Sequence, residues 1–152
     1  MPKLALSEMP KDGALIAIDP GSKSLGIAAC DRLRLVSAPV ETIARGKKLA
    51  PALDRLFELY EARDGVGIII GLPLNMDGSS GPRTQAAYAL AQNILARRDI
   101  PLAFQDERLS SAEAERAMLD ADLSRQRRAK SIDASAAAII LQSAIDRLQL
   151  ST

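Results

Sequence analysis

Four acidic residues in this 152-residue chain stand where a carboxylate could do chemistry. Asp19 ends an apolar run over residues 14–19, and Asp106 and Glu107 directly follow a short apolar run over residues 101–105. Asp133 lies in the first turn of a predicted helix, before the small residues 134–138. Because open α/β sheets bind ligands at the carboxyl ends of their strands, we expect Asp19 and the Asp106–Glu107 pair to share one edge.

Each acid also has a simpler interpretation. Asp19 could only open a turn, and Asp106 and Glu107 could be polar loop residues before a helix, where acids suit the dipole. Asp133 in a first helical turn would gain about 0.3–1 kcal/mol from the dipole. The small residues that follow Asp133 favour close packing of that helix on the sheet, but they do not fix which way its side chain points.

Considered together, the acids indicate a metal site. Gathered carboxylates repel one another, and their pKa values rise unless a cation neutralises them. The chain has no histidine and one cysteine, Cys30, which disfavours zinc and leaves oxygen ligands that suit Mg²⁺ or Mn²⁺. Such ions can drive phosphodiester cleavage. A single cysteine also excludes a disulfide within the chain, which fits a reducing cytoplasm.

Hydrophobic periodicity predicts the elements that must position these acids. Strands are expected at residues 14–19, 25–30, 34–42, 66–72 and 101–105, and helices at 47–63, 82–98, 110–120 and 131–148. Ser110 and Glu113 form a capping-box pattern at the start of the third helix. Three strands followed by alternating strands and helices predict an α/β fold. Its mixed five-stranded sheet has three antiparallel strands, then parallel strands, with helices on both faces. Residues 1–13 are interpreted as a loose N-terminal extension and residues 14–150 as one domain.

Composition limits the partners. Apolar residues make up 47% of the chain and no apolar run is long enough to cross a bilayer, so no membrane partner is expected. The 20 basic and 19 acidic residues nearly balance, yet basic side chains can still gather on one face. Arg125, Arg127, Arg128 and Lys130 form one such group, which either binds phosphates or is a solvated loop. With aromatics at 3%, a nucleic-acid partner would be recognised by its backbone rather than by base stacking.

Four sequence blocks resemble the YqgF (RuvX-like) family. They are Ile18-Asp19-Pro20-Gly21-Ser22-Lys23 with Gly26; Gly71-Leu72-Pro73-Leu74-Asn75-Met76-Asp77-Gly78 with Gly81-Pro82-Arg83; Asp106-Glu107-Arg108-Leu109-Ser110 with Glu113-Ala114; and Asp133 with Ala137, Ile139, Ile140, Leu141 and Gln142. They run in the family's order across roughly residues 14–146. The resemblance implies an RNase H-like fold and a metal-dependent nuclease of pre-16S rRNA or of Holliday junctions.

The resemblance also assigns residue roles. It implies that Asp19, Glu107 and Asp133 are the catalytic residues and the ligands of Mg²⁺ or Mn²⁺, with Asp106 as a reserve candidate. It further implies that Lys23, Asn75, Arg83 and Arg108 contact the substrate. Two positions depart from the family pattern: Pro20 stands where an aromatic or aliphatic residue is common, and Ser24 where arginine is common.

Several functions remain open from sequence. The first is maturation of the 5′ end of 16S rRNA, and the second is cleavage of four-way DNA junctions, which would require a dimer. A third is a non-catalytic module that binds nucleic acid. The first block also resembles the phosphate loop of actin-like ATPases, but those proteins need two such domains. We expect a cytoplasmic monomer or weak homodimer that binds structured RNA or branched DNA.

Overall fold

The computed structural model describes residues 8–21, 23–73, 77–106 and 132–150, without the side chains of Ile132, Asp133, Ser135 and Leu150. In chain order its elements are β1 (Ala14–Pro20), β2 (Ser24–Cys30), β3 (Ser37–Ala44), α1 (Ala50–Ala62), β4 (Gly65–Leu72), α2 (Pro82–Arg97), β5 (Leu102–Asp106) and α3 (Ile132–Leu150). The helix predicted at 110–120 and the basic group at 125–130 lie outside the described residues. Within them, no helix is both long and apolar enough to span a membrane.

The strands form one five-stranded mixed sheet in the order β3-β2-β1-β4-β5. β2 pairs antiparallel with both β1 and β3, whereas β4 pairs parallel with β1 and β5. The central strands β1 and β4 come from the apolar runs of the sequence, as is usual for strands covered on both faces. The predicted α/β fold with a mixed sheet is therefore confirmed.

Alternating side chains divide the core into two clusters, one on each face of the sheet. The α1/α2 face is filled by large aliphatic side chains, among them Ile16, Ile18, Leu25, Ile27, Leu53, Leu56, Ile68, Ile70, Leu90 and Ile94. The α3 face is filled largely by small ones, among them Ala17, Ala28, Ala103, Ala137, Ala138 and Ala144. Small side chains let α3 approach the sheet closely, which brings polar groups of the helix within reach of the strands.

The start of β3 and the N-terminal segment differ from the prediction. β3 begins at Ser37 and not at Arg34, because Arg34 has a left-handed backbone (φ 57°) and a buried side chain. Its guanidinium donates hydrogen bonds to the carbonyls of Gly13 and Pro10 at 2.8 and 2.6 Å. Met9 is buried in the α3-face cluster. Residues 9–13 are therefore packed on the domain, and the expectation of a loose segment is wrong for them.

α3 is anchored to the sheet at two points. In the middle of the helix, the carbonyl of Ala138 accepts from Ser37 Oγ at 2.7 Å and Gln142 Oε1 accepts from the Ser37 backbone N–H at 3.2 Å. Further along, Ser143 and Arg147 bond to Gln105 at the end of β5. The middle of α3 thus lies at the start of β3, and its C-terminal half reaches the end of β5.

Candidate active site

Asp19 lies near the carboxyl end of β1 and points to the α3 face. Leu15 and Ala17 belong to the α3-face cluster, so the alternation of a strand puts Asp19 on the same side. Its partner across β2 is Gly26, and the pairing of Ile18 with Ile70 puts Gly71 of β4 level with it. The half-buried Asp19 carboxylate therefore has glycines, which carry no side chain, at the level positions on both neighbouring strands.

The Asp19 carboxylate forms no hydrogen bond or ion pair with another described residue. In the same part of the chain, no group of three acidic, histidine or cysteine side chains forms a cluster. A half-buried carboxylate is commonly stabilised by hydrogen bonds, by a cationic side chain or by a metal ion. Oxygen donors of this kind suit Mg²⁺ or Mn²⁺.

The end of β5 separates Asp106 from Asp19. Phe104 packs against the α1/α2-face cluster, whereas Ala103 belongs to the α3-face cluster. Alternation therefore assigns Asp106 to the α1/α2 face, opposite to Asp19. Asp106, the reserve candidate, does not join Asp19. Glu107, the first choice, lies outside the described residues.

Gln105 is the residue at this edge that sequence reasoning missed. It is fully buried, and through Gly71 it lies level with Asp19 across the sheet. Its Nε2 donates to Ser143 Oγ at 3.2 Å, and its Oε1 accepts from Arg147 Nη1 at 2.9 Å. Because both ends of the amide are bonded, this network fixes the end of β5 against α3. No local pattern signals it, since its partners are about forty residues away in the chain.

Asp133 lies in the first turn of α3, but its side chain is outside the described residues. The contacts of α3 place its C-terminal half, rather than its first turn, at the end of β5. No described contact joins Asp133 to Asp19, and its role as a ligand stays a prediction.

The loop between β4 and α2 is pinned at its base by Thr84. This buried hydroxyl accepts from the Gly81 backbone N–H at 3.2 Å and donates to the Pro73 carbonyl at 2.6 Å. Arg83 is held beside it at the start of α2 and is exposed. Asn75 lies in the part of this loop outside the described residues.

Of the two other predicted substrate contacts, one is described by the structure and one is not. Lys23 is exposed in the turn between β1 and β2, whereas Arg108 lies outside the described residues. Arg45, which sequence reasoning did not single out, follows β3 at the same edge. Its backbone N–H donates to the Lys23 carbonyl at 2.8 Å and its Nη1 donates to the Gly21 carbonyl at 3.1 Å.

Cys30 takes no part in this site. It lies at the far end of β2, where its Sγ accepts a hydrogen bond from the Leu15 backbone N–H at 3.3 Å. Burial raises the pKa of the Cys30 thiol, so it stays protonated at neutral pH. Cys30 is thus a small buried residue of the α3-face cluster.

Comparison with known proteins identifies relatives over almost the whole chain. The model of the family RuvX, described as Holliday junction resolvase, matches residues 13–147. A protein of Ruegeria sp. (strain TM1040) named "Putative pre-16S rRNA nuclease" is 50% identical over 141 residues, which covers 93% of this chain and 89% of the relative. A protein of the same name from Rhodobacter capsulatus is 48% identical over 140 residues, covering 92% of this chain and 87% of that one.

Solved structures show the same fold at low sequence identity. The chain is similar to T. thermophilus RuvC in complex with a Holliday junction substrate, with a TM-score of 0.61, 12% identity and coverage of 90% of this chain and 96% of that one. A second Thermus thermophilus RuvC structure gives a TM-score of 0.56 at 13% identity, covering 91% and 97%. These neighbours bear out the RNase H-like fold. By the extent of the family match and the identity of its relatives, the chain belongs to the RuvX family and is a nuclease, an enzyme that hydrolyses phosphodiester bonds.

Proposed function

We propose that this chain is a divalent-metal-dependent endonuclease that processes precursor 16S rRNA at its 5′ end. The observation that carries the proposal is the half-buried Asp19 carboxylate, which lies at the carboxyl end of a central strand, between two glycines, and has no partner among the described residues. The names of the curated relatives support the choice of RNA. Their coverage of nearly the whole chain supports carrying an activity over from them.

Glu107 is proposed as the partner of Asp19. Gln105 faces α3, and Glu107 follows it two positions later in the sequence. The ends of β1 and β5 are separated by two strand spacings, roughly 10 Å between backbones, a span that an ion held by acids from both segments could bridge. Alternation within β5 puts Asp106 on the face opposite to Asp19, which argues against Asp106 as the partner.

Asp133 is proposed as the third ligand on the strength of its sequence motif alone. Because the three proposed ligands are carboxylates and the chain contains no histidine, Mg²⁺ or Mn²⁺ is the proposed ion. When bound, a divalent ion stabilises the charge that develops on the phosphoryl oxygens during hydrolysis. The protein's own part is to hold the carboxylates and to orient the substrate backbone through Lys23, Asn75, Arg83 and Arg108.

The second candidate substrate is a four-way DNA junction, which the description of the matching family favours. A resolvase cuts two strands symmetrically and would have to act as a dimer, whereas an rRNA nuclease can act as a monomer or weak homodimer. We propose the cytoplasm as its place of action. The single, buried Cys30 fits a reducing compartment.

The test offers the purified chain both substrates, each with Mg²⁺, Mn²⁺ or a chelator. One substrate is a labelled RNA that carries the 16S 5′ end with its precursor extension, and the other is a labelled four-way DNA junction. We expect metal-dependent cleavage of the RNA at a defined position, and none by Asp19→Asn. Cleavage of the junction alone would reassign the substrate, and metal-independent cleavage would contradict the proposed mechanism.

A further inference from the structure

A basic cavity of about 610 Å³ opens at the same edge of the sheet as Asp19. Its cationic lining residues come from three different segments: Lys23 from the turn after β1, Arg45 from the end of β3, and Arg83 from the first turn of α2. Pro20 and Ala86 complete the wall between them. Among the described residues that line the cavity there is no carboxylate.

This cavity lies on the α1/α2 side of the sheet at the carboxyl end of β1, whereas Asp19 points to the α3 face. Pro20 alternates with Asp19, and α2 packs on the α1/α2 face through Ala87, Leu90 and Ile94. The two sites are therefore separated by the end of β1 itself. A ligand that touches both must pass over this edge.

The cations of the cavity have no acidic partner within the part of the chain that the structure describes. Lys23, Arg45 and Arg83 form no ion pair with another described residue. By contrast, three arginines elsewhere on the α1/α2 side are paired with acids: Arg55 binds Glu41 at 2.7 Å, Arg97 binds Asp54 at 2.6 Å and Arg98 binds Glu61 at 2.8 Å. No described side chain neutralises the positive charge of the cavity, which suits an anionic ligand.

The start of α2 adds to this charge. Arg83 lies in the first turn of a 16-residue helix whose first turn contains no acidic residue. The N-terminus of such a helix carries a partial positive charge that favours anions. Three cations and a helix N-terminus around one cavity suit a phosphate group better than a neutral ligand. They also suit a phosphate better than a single carboxylate side chain of a protein partner.

We propose that this cavity binds a backbone phosphate of the substrate that is not the one cleaved. The nucleic-acid strand would then be held across the carboxyl end of β1. Arg45 is the central residue of the proposal, because it both lines the cavity and bonds to the Gly21 carbonyl in the turn after Asp19. The inference rests on the proposed function, in that the ligand is the substrate of the Asp19 site. It assigns the cavity to binding and not to bond cleavage.

The experiment measures binding separately from cleavage. In an Asp19→Asn background, which keeps the substrate intact, fluorescence anisotropy follows the labelled precursor RNA and the labelled four-way junction over a range of salt concentrations. Lys23→Gln and Arg45→Gln should each weaken binding roughly 5- to 10-fold and lower the slope of log K against log salt by about 1. Arg63→Gln, an exposed arginine at the opposite edge, is the matched control and should change neither.

Two further variants separate a phosphate contact from a structural role of Arg45. Arg45→Lys keeps the charge and should restore most of the affinity, whereas a purely structural Arg45 would make it behave like Arg45→Gln. In a background with intact Asp19, Arg45→Gln should raise KM and leave kcat near that of the unmodified chain. Unchanged affinity and salt slope in both Lys23→Gln and Arg45→Gln would overturn the proposal. If these variants lose affinity but the unmodified chain cleaves neither nucleic acid, the proposed function fails and the binding cavity stands.

Discussion

The two faces of the sheet are built differently. The α1/α2 face is closed mainly by large aliphatic side chains, with ion pairs on its outer surface, whereas the α3 face has a larger share of alanines and carries polar groups inside. Asp19, Gln105, Ser143 and Arg147 all belong to the α3 side. We therefore expect core substitutions on the α1/α2 face to act mainly on stability, and polar substitutions on the α3 face to act mainly on the cleavage rate.

The largest expected difference between the two faces comes from replacing one carboxylate on each face by an amide. Asp19→Asn should reduce cleavage by at least about 10²–10³-fold, the scale of losing a group that stabilises charge at the reacting atoms. Asp106→Asn, on the other face, should retain most of the activity. Cleavage rates of both variants on one substrate decide the matter. Equal losses would mean that the division between the faces is wrong.

The α1/α2 face should show the largest effects on stability. Leu56 is fully buried there, and Leu56→Ala should lower the free energy of unfolding by about 2–5 kcal/mol through lost burial and a cavity. Leu33→Ala is a matched control, since Leu33 is 71% exposed, and it should change stability by less than about 0.5 kcal/mol. Urea unfolding measures both. A small effect for Leu56→Ala would contradict the role given to this face.

The buried amide on the α3 face should matter for both stability and activity. Gln105→Leu removes the bonds that the Gln105 amide makes to Ser143 Oγ and Arg147 Nη1, at a cost of about 1–3 kcal/mol. Adding Ser143→Ala should then cost less than its effect alone, because the two residues share a bond. Since Gln105 precedes the Asp106–Glu107 pair, we also expect kcat to fall more than KM rises. Additive stability effects would argue against a shared network.

The smallest effect is expected at the outer rim of the α1/α2 face. Arg55 donates two hydrogen bonds to Glu41, which lower the pKa of that carboxyl below its ordinary value of 4.5. A carboxyl whose pKa is lower in the folded state stabilises the fold at pH values above its pKa in the unfolded state. This contribution is lost as the pH falls through its pKa in the folded state. Glu41→Gln should therefore be slightly less stable than the parent at pH 7, and the difference should vanish in strong acid. Thermal unfolding across that range tests it.

The fold was predictable where the pattern was local. The apolar runs that end at Asp19 and Leu72 fix the two central strands, and Pro82 marks the start of α2. The start of β3 was not predictable, because Arg34 lies outside the strand and bonds to a segment more than twenty residues earlier in the chain. Nothing in the neighbouring sequence announces that contact.

The candidate site was predictable only in part for the same reason. Residue types and motifs indicated Asp19, Lys23 and Arg83, which the structure brings to one edge. The separation of Asp106 from Asp19 depends on strand alternation, which a continuous apolar run hides. Gln105 and Arg45 depend on pairing across long stretches of chain, which a single sequence does not reveal.

The most direct measurement of the central claim is Mn²⁺ binding, followed by electron paramagnetic resonance, in the unmodified chain and in single variants. We predict a bound ion whose affinity falls by more than about 10-fold in Asp19→Asn and in Glu107→Gln, and stays near the parent value in Asp106→Asn. Asp133→Asn decides separately whether the third proposed ligand belongs to the set. Unchanged Mn²⁺ affinity in Asp19→Asn, or an equal loss in Asp106→Asn, would contradict the account.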